Sequence, residues 1–187
     1  MPLTNISAYR LAGYSFTDND FDSNAEIEKS KLGTRTLYRT FPATSMVTDA
    51  TKTSQGVFSG LLMPDASTKK IYFVFQVPKE YVSGNITAQY IWSTAATTGA
   101  LRLTVTYEGR VVGESLASAL SSSASDTDTA KGTTLLLNQG TFTLNSANFA
   151  ANDYVSIIIT RDPTDALDTI AADIIFYAIS LEFTGRG

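Results

Sequence analysis

The chain has no cysteine and no histidine. Without cysteine there is no disulfide frame, no thiolate nucleophile and no Cys-based zinc site, a situation that suits either redox environment. Without histidine the commonest general base is gone, and with it the Ser-His and Cys-His nucleophile pairs. Basic clusters are also missing. The longest basic run is Lys69-Lys70 and the formal net charge is −4, so a phosphate-binding footprint is absent and nucleic acid is not expected as a partner. No run of about 20 apolar residues exists to span a membrane. Residues 1–16 hold one arginine and no continuous apolar core, which does not read as a signal peptide.

What is present is a strand-rich core. The chain is 43% hydrophobic over 187 residues, enough for one sandwich-sized domain and an arm. The clearest stretch is the last one. Val155, Ile157 and Ile159 alternate with Ser156, Ile158 and Thr160. After Arg161 and a turn-rich acidic loop, Ile175, Tyr177, Ile179, Leu181 and Phe183 alternate with Phe176, Ala178, Ser180 and Glu182. β-Branched and aromatic residues at period two make strands with one buried face. Ile174 and Phe176 make the second strand apolar on both faces at its start, so it belongs inside a sheet. Further strands are predicted over Gly56–Met63, Ile71–Val77, Ile86–Trp92, Leu101–Tyr107, Val111-Val112, Leu135–Leu137 and Phe142–Leu144. Strands at spacings of about 8–15 residues, with no helical pattern between them, predict an all-β antiparallel β-sandwich, and the uneven loops predict a jelly roll. Phe73, Phe75, Trp92, Leu103, Val105, Ile157, Ile159, Ile179 and Leu181 are expected in its core.

Residues 1–54 differ. They carry six aromatics with little alternation and read as an extended N-terminal arm, with the sandwich over residues 55–187. Ser23 followed by Glu26 is a capping box, acidic residues precede Lys29 and Lys31, and Gly33 follows Leu32. That predicts one short helix over residues 24–32, too small to stand alone. Residues 115–132, rich in Ser and Ala, read as a surface loop.

Candidate chemistry is thin. Asp162, Asp165, Asp168 and Asp173 fall within twelve residues and could hold calcium, but their spacing matches no EF-hand loop and Asp caps turns for its own reasons. Asp126 and Asp128 offer less. Glu80, Glu108, Glu114 and Glu182 are candidates for the two-carboxylate arrangement of a glycosidase; Glu108 reads as a hairpin tip, and nothing in the pattern pairs them. Tyr90 and Trp92 could stack on a sugar ring, yet they share a strand face with Ile86 and Ala88 and so read as core. The expectation is no enzyme, no catalytic residue, no metal and no cofactor.

Asn24-Ala25-Glu26-Ile27-Glu28-Lys29-Ser30-Lys31-Leu32 is similar to a short Ala-x-Ile-x-x-Ser-Lys-Leu element near the N-terminus of many phage tail-fibre and head-associated proteins. The stretches Phe75–Gly84 with Ile91-Trp92-Ser93, and Asp153–Ile157 through Arg161 to Thr169, resemble jelly-roll domains of phage virion proteins. The resemblance implies a structural virion protein, made in the host cytoplasm and carried on the particle surface. One head with an arm and no shaft repeats favours a capsid decoration (cement) protein bound to the major capsid protein or other virion subunits. The alternatives are a tail-fibre or head-fibre receptor-binding tip recognising host glycan, and a free carbohydrate-binding module. A flat, charged outer face would favour cement, and an exposed aromatic pair would favour a glycan. Because the arm needs a surface to pack on, and a threefold ring hides sheet edges, a homotrimer is expected.

Overall fold

The computed structural model describes residues 33–117 and 119–186, so the predicted helix 24–32 lies outside the described residues. The chain forms eleven strands among them: β1 (Thr34–Pro42), β2 (Val47–Thr48), β3 (Thr51–Gln55), β4 (Phe58–Met63), β5 (Lys69–Gln76), β6 (Ile86–Thr94), β7 (Ala100–Arg110), β8 (Ser122–Thr129), β9 (Asn138–Leu144), β10 (Tyr154–Arg161) and β11 (Ile174–Arg186). They make two antiparallel sheets. The first has the order β3-β4-β11-β6-β9, with β1 also paired to β11; the second has the order β2-β5-β10-β7-β8. The expectation of an all-β antiparallel sandwich holds.

β11 is central, as its two-sided apolar start implies. One edge pairs with β6 over Ile174–Glu182. The other is shared end to end, β4 taking Ile174–Phe176 and β1 taking Ala178–Arg186. A register shift between Phe176 and Ala178 turns Tyr177 outward, where its hydroxyl bonds Ser93 at 2.8 Å and its ring meets Phe58 edge-on at 5.8 Å. Gly60 makes this possible: a Cβ there would lie 2.6 Å from Ile175 Cγ2 and 3.0 Å from the Tyr177 ring.

Period-two burial repeats along β5, β6, β7, β9 and β10, so each strand sends alternate residues into the space between the sheets. Of the nine expected core residues, eight are buried, and Phe73 is half-buried against the Phe41 ring at 5.3 Å. At the centre Tyr90 stacks between Phe142 and Phe176, with centroids 4.9 and 6.1 Å away.

Five expectations need correction. Residues 34–54 are not an arm: β1 pairs with β11 over nine residues, β2 with β5, and β3 with β4. Their side chains are mostly exposed, which is why no apolar alternation betrays them. Leu135–Leu137 is not a strand, because Leu135 has φ 62°, the left-handed region that no strand tolerates. Val111-Val112 forms a turn. Glu108 lies within β7 rather than at a hairpin tip.

The fifth correction is the Ser-rich segment, which contains β8. It pairs with β7 over eight residues at the open edge of the second sheet. Its inward residues include two carboxylates. Asp126 accepts from Tyr90 Oη at 2.8 Å and from the Thr141 backbone N–H at 2.8 Å; Asp128 accepts from Trp92 Nε1 at 2.7 Å. Gly140 leaves the room, since a Cβ there would sit 2.1 Å from the Tyr90 ring and 2.5 Å from Asp126. Inward charges on an edge strand block edge-to-edge aggregation. Here they also satisfy the polar tips of the two largest core aromatics. The Tyr90 hydroxyl is pushed well above its ordinary range, first by burial and then by the Asp126 charge.

Two tests follow from this packing. Leu103→Ala empties a fully buried site and should cost about 2–5 kcal/mol in urea melts; a loss under about half a kcal/mol would contradict the register. The Asp128 carboxyl is pushed up by burial, with the Asp126 charge adding to the shift and the Trp92 N–H opposing it. A carboxyl raised on folding contributes stability below its unfolded pKa and loses it as pH rises through the folded value. Asp128→Asn keeps an acceptor for Trp92 and removes the charge. It should therefore match or exceed wild-type stability at pH 7, with any advantage gone by about pH 4.

Candidate functional site

The acidic loop between β10 and β11 is organised by Arg161. This side chain is fully buried at the end of β10. Its Nε donates to Asp168 Oδ2 at 2.9 Å. Nη1 donates to the carbonyls of Met63 (2.8 Å) and Ala172 (3.1 Å), and Nη2 to Asp168 Oδ1 (3.3 Å), Asp65 Oδ1 (3.3 Å) and the Ile170 carbonyl (3.1 Å). The other loop carboxylates are also engaged. Asp162 accepts from the Thr164 N–H and hydroxyl and from Thr68, which hold its carboxyl below the usual range. Asp165 caps Leu167 N–H, and Asp173 receives Asp65 N–H. The four aspartates thus serve turns and a buried cation. No group of three or more ligating side chains converges among the described residues.

The glutamates separate. Glu182 lies on the outer side of the first sheet beside Tyr38 and Thr87, and Glu80 stands 3.9 Å from Lys79. Glu108 and Glu114, with Asp153, line one shallow hollow of about 360 Å3, a shared lining that sequence spacing did not reveal. Each is committed to a partner inside the chain. Glu108 holds Arg110 at 2.9 Å and the Ser121 N–H at 3.1 Å, Glu114 the Val111 N–H at 3.0 Å, and Asp153 the Ala150 N–H at 2.7 Å. Trp92 and Tyr90 are fully buried and offer no platform.

The surface that does offer one is the outer face of the second sheet. Register puts Gln76, Tyr154 and Arg110 in one row across β5, β10 and β7; Val74, Ser156 and Glu108 in the next; then Val47, Tyr72, Ile158, Thr106 and Ser123; then Lys70, Thr160, Thr104 and Ser125. Tyr72 and Tyr154 are 36% and 45% exposed. They lie on adjacent strands four residues apart in register, about 13 Å along the strand direction at about 3.3 Å per residue. The β7–β8 side is rich in hydroxyls and supplies Arg102. Its guanidinium is held flat by Thr127 Oγ1 at 2.9 Å and Ser125 Oγ at 2.6 Å. Its charge faces Asp165 at 3.9 Å, as that of Arg110 faces Glu108. The face is therefore aromatic and aliphatic on one flank, hydroxylated on the other, and low in uncompensated charge. No sequence signal pointed to Tyr72 or Tyr154, because each reads as the polar-side residue of an alternating strand.

No protein-family model and no curated protein matches the sequence. Among solved structures, arabinose-bound MgGH51 α-L-arabinofuranosidase is similar at 17% identity and TM-score 0.41. The match covers 78% of this chain and 23% of that one, so this chain spans less than a quarter of the enzyme's length. The family 11 carbohydrate-binding module from Clostridium thermocellum, in complex with a β-1,3-1,4-mixed-linked tetrasaccharide, is similar at 8% identity and TM-score 0.40, covering 80% and 95%. TmCBM61 in complex with β-1,4-galactotriose is similar at 12% identity and TM-score 0.33, covering 80% and 88%. At these values the likeness carries no argument about ligand or activity.

The loop geometry sets a test. Asp168→Ala leaves the Arg161 guanidinium buried without its main counter-charge and should cost about 3–5 kcal/mol. Calcium should leave the wild-type melting temperature unchanged; a rise of several degrees reversed by EDTA would make the loop a metal site instead.

Proposed function

We propose that this chain is a non-catalytic β-sandwich whose outer β5-β10-β7-β8 face binds carbohydrate. The observation that carries this reading is the exposed pair Tyr72 and Tyr154, set in register beside a field of serine and threonine hydroxyls. A sugar ring has an apolar C–H face and a hydroxylated rim. Tyrosine supplies a flat apolar body with a polar tip, and hydroxyls, Gln76 and the guanidinium of Arg102 supply donors and acceptors for the rim. The separation of the two rings suits an extended oligosaccharide better than a single residue. Compensated arginines and a hydroxyl-rich surface support glycan recognition over the charged lattice contact of a cement protein.

The strand order supports a jelly-roll winding of two Greek keys, β4-β11-β6-β9 over β5-β10-β7-β8. The similarity of Ala25–Leu32 to phage tail-fibre and head-associated proteins supports a place on a virion, as the glycan-recognising head of a fibre. Trimerisation through subunit contacts belongs to the same proposal. Light scattering of the full chain tests it, and a monomer at micromolar concentration would remove the trimer.

The binding test uses a glycan array followed by titration calorimetry. Tyr72→Ala and Tyr154→Ala should each weaken binding about 5- to 10-fold while leaving the melting temperature unchanged, since both rings are exposed. Absence of any glycan binding, or binding indifferent to both substitutions, would overturn the proposal.

A further inference from the structure

We infer that the hollow at the Tyr154 end of this face binds an uncharged acyl or aryl substituent carried by the saccharide, so that the preferred ligand is an esterified glycan rather than a bare one. The inference rests on the carbohydrate reading of the face. The hollow has a volume of about 530 Å3, within the range of small-molecule sites. Its wall is formed by Val74 and Tyr154 from the sheet and by Val111, Val112, Leu116 and Leu120 from the segment after β7. A bare sugar would press its hydroxyls against these aliphatic groups and lose their hydration without replacement hydrogen bonds. An acyl chain or aromatic ring loses nothing there and gains from burial. Tyr154 and Ser156 belong both to this wall and to the open face, so a group entering the hollow would remain joined to a saccharide lying across the sheet.

The charged groups at the rim argue for a neutral occupant. Arg110 is paired with Glu108 at 2.9 Å, and the Glu114 carboxylate is taken by the Val111 N–H at 3.0 Å. Hydrogen bonds hold the two ends of this segment. Glu114 N–H returns to the Val111 carbonyl at 3.2 Å, closing the turn on itself, and Ser121 N–H is tied to Glu108 at 3.1 Å where the segment re-enters the sheet. Glu108 thus positions the arginine on one side and the returning backbone on the other.

The test measures affinity of the full chain for a panel of plant and bacterial polysaccharides, feruloylated arabinoxylan and O-acetylated capsular polysaccharide among them. Each is presented intact and after mild saponification, which removes esters and leaves the glycan. The esterified form of at least one polymer should bind about 10-fold or more tightly than its saponified form. Leu120→Asn should abolish that preference while keeping affinity for the saponified form. Val74→Thr, at a position already 57% exposed, should reduce it without altering the melting temperature. Equal binding of both forms for every polymer that binds would overturn this inference and leave the carbohydrate reading standing. No binding by either form of any polymer would overturn both.

Discussion

A buried guanidinium joins the two sheets at one end of the sandwich. Arg161 closes β10 of the second sheet, and its Nη1 reaches the Met63 carbonyl at the end of β4 in the first. The same group gathers Asp168, Ile170 and Ala172 from the loop that leads into β11. All five of its N–H donors have acceptors, which is the condition under which a buried charge is tolerable. The loop from 162 to 173 needs no core of its own, because the carbonyls of Ile170 and Ala172 and the carboxylate of Asp168 are organised by one cation. β11, the strand on which the whole first sheet is built, begins where that loop ends.

At the open edge of the second sheet the same logic runs with the opposite sign. Two carboxylates of β8 point inward and meet the hydroxyl of Tyr90 and the indole N–H of Trp92. Large aromatics fill the centre, but Tyr and Trp carry polar tips that must find partners when buried. Placing those partners on the edge strand serves the core and protects the edge. It also fixes the orientation of β8, so that Ser123, Ser125 and Thr127 face outward and extend the hydroxylated flank of the candidate binding face.

The face and the hollow are continuous through β10. The strand alternates Tyr154, Ser156, Ile158 and Thr160 outward with Val155, Ile157, Ile159 and Arg161 inward. A single strand therefore carries the ring that would stack on a ligand, the floor of the apolar hollow and the cation that ties the sheets together. Rigidity of the candidate binding face is inherited from the core through this alternation.

Period two along the chain determined the fold class and most of the core, because burial of one strand face is a local pattern that the residues themselves display. Trp92, Leu103, Val105, Ile157 and Leu181 were legible in this way. β1, β2 and β3 were not, since these strands, paired on one side only, keep mostly exposed side chains and show no alternation to read. β8 was hidden for a related reason: its inward positions hold Ala124, Asp126 and Asp128, small or charged residues whose burial makes sense only once Tyr90 and Trp92 lie across from them. The tertiary structure alone decided that the loop aspartates serve Arg161 and the turns. It alone brought Glu108 and Glu114 to one hollow and set Tyr72 and Tyr154 on one open face. The tyrosine pair depends on cross-strand register between residues about 80 apart in sequence, and no pattern within a single strand encodes which partner strand will lie beside it.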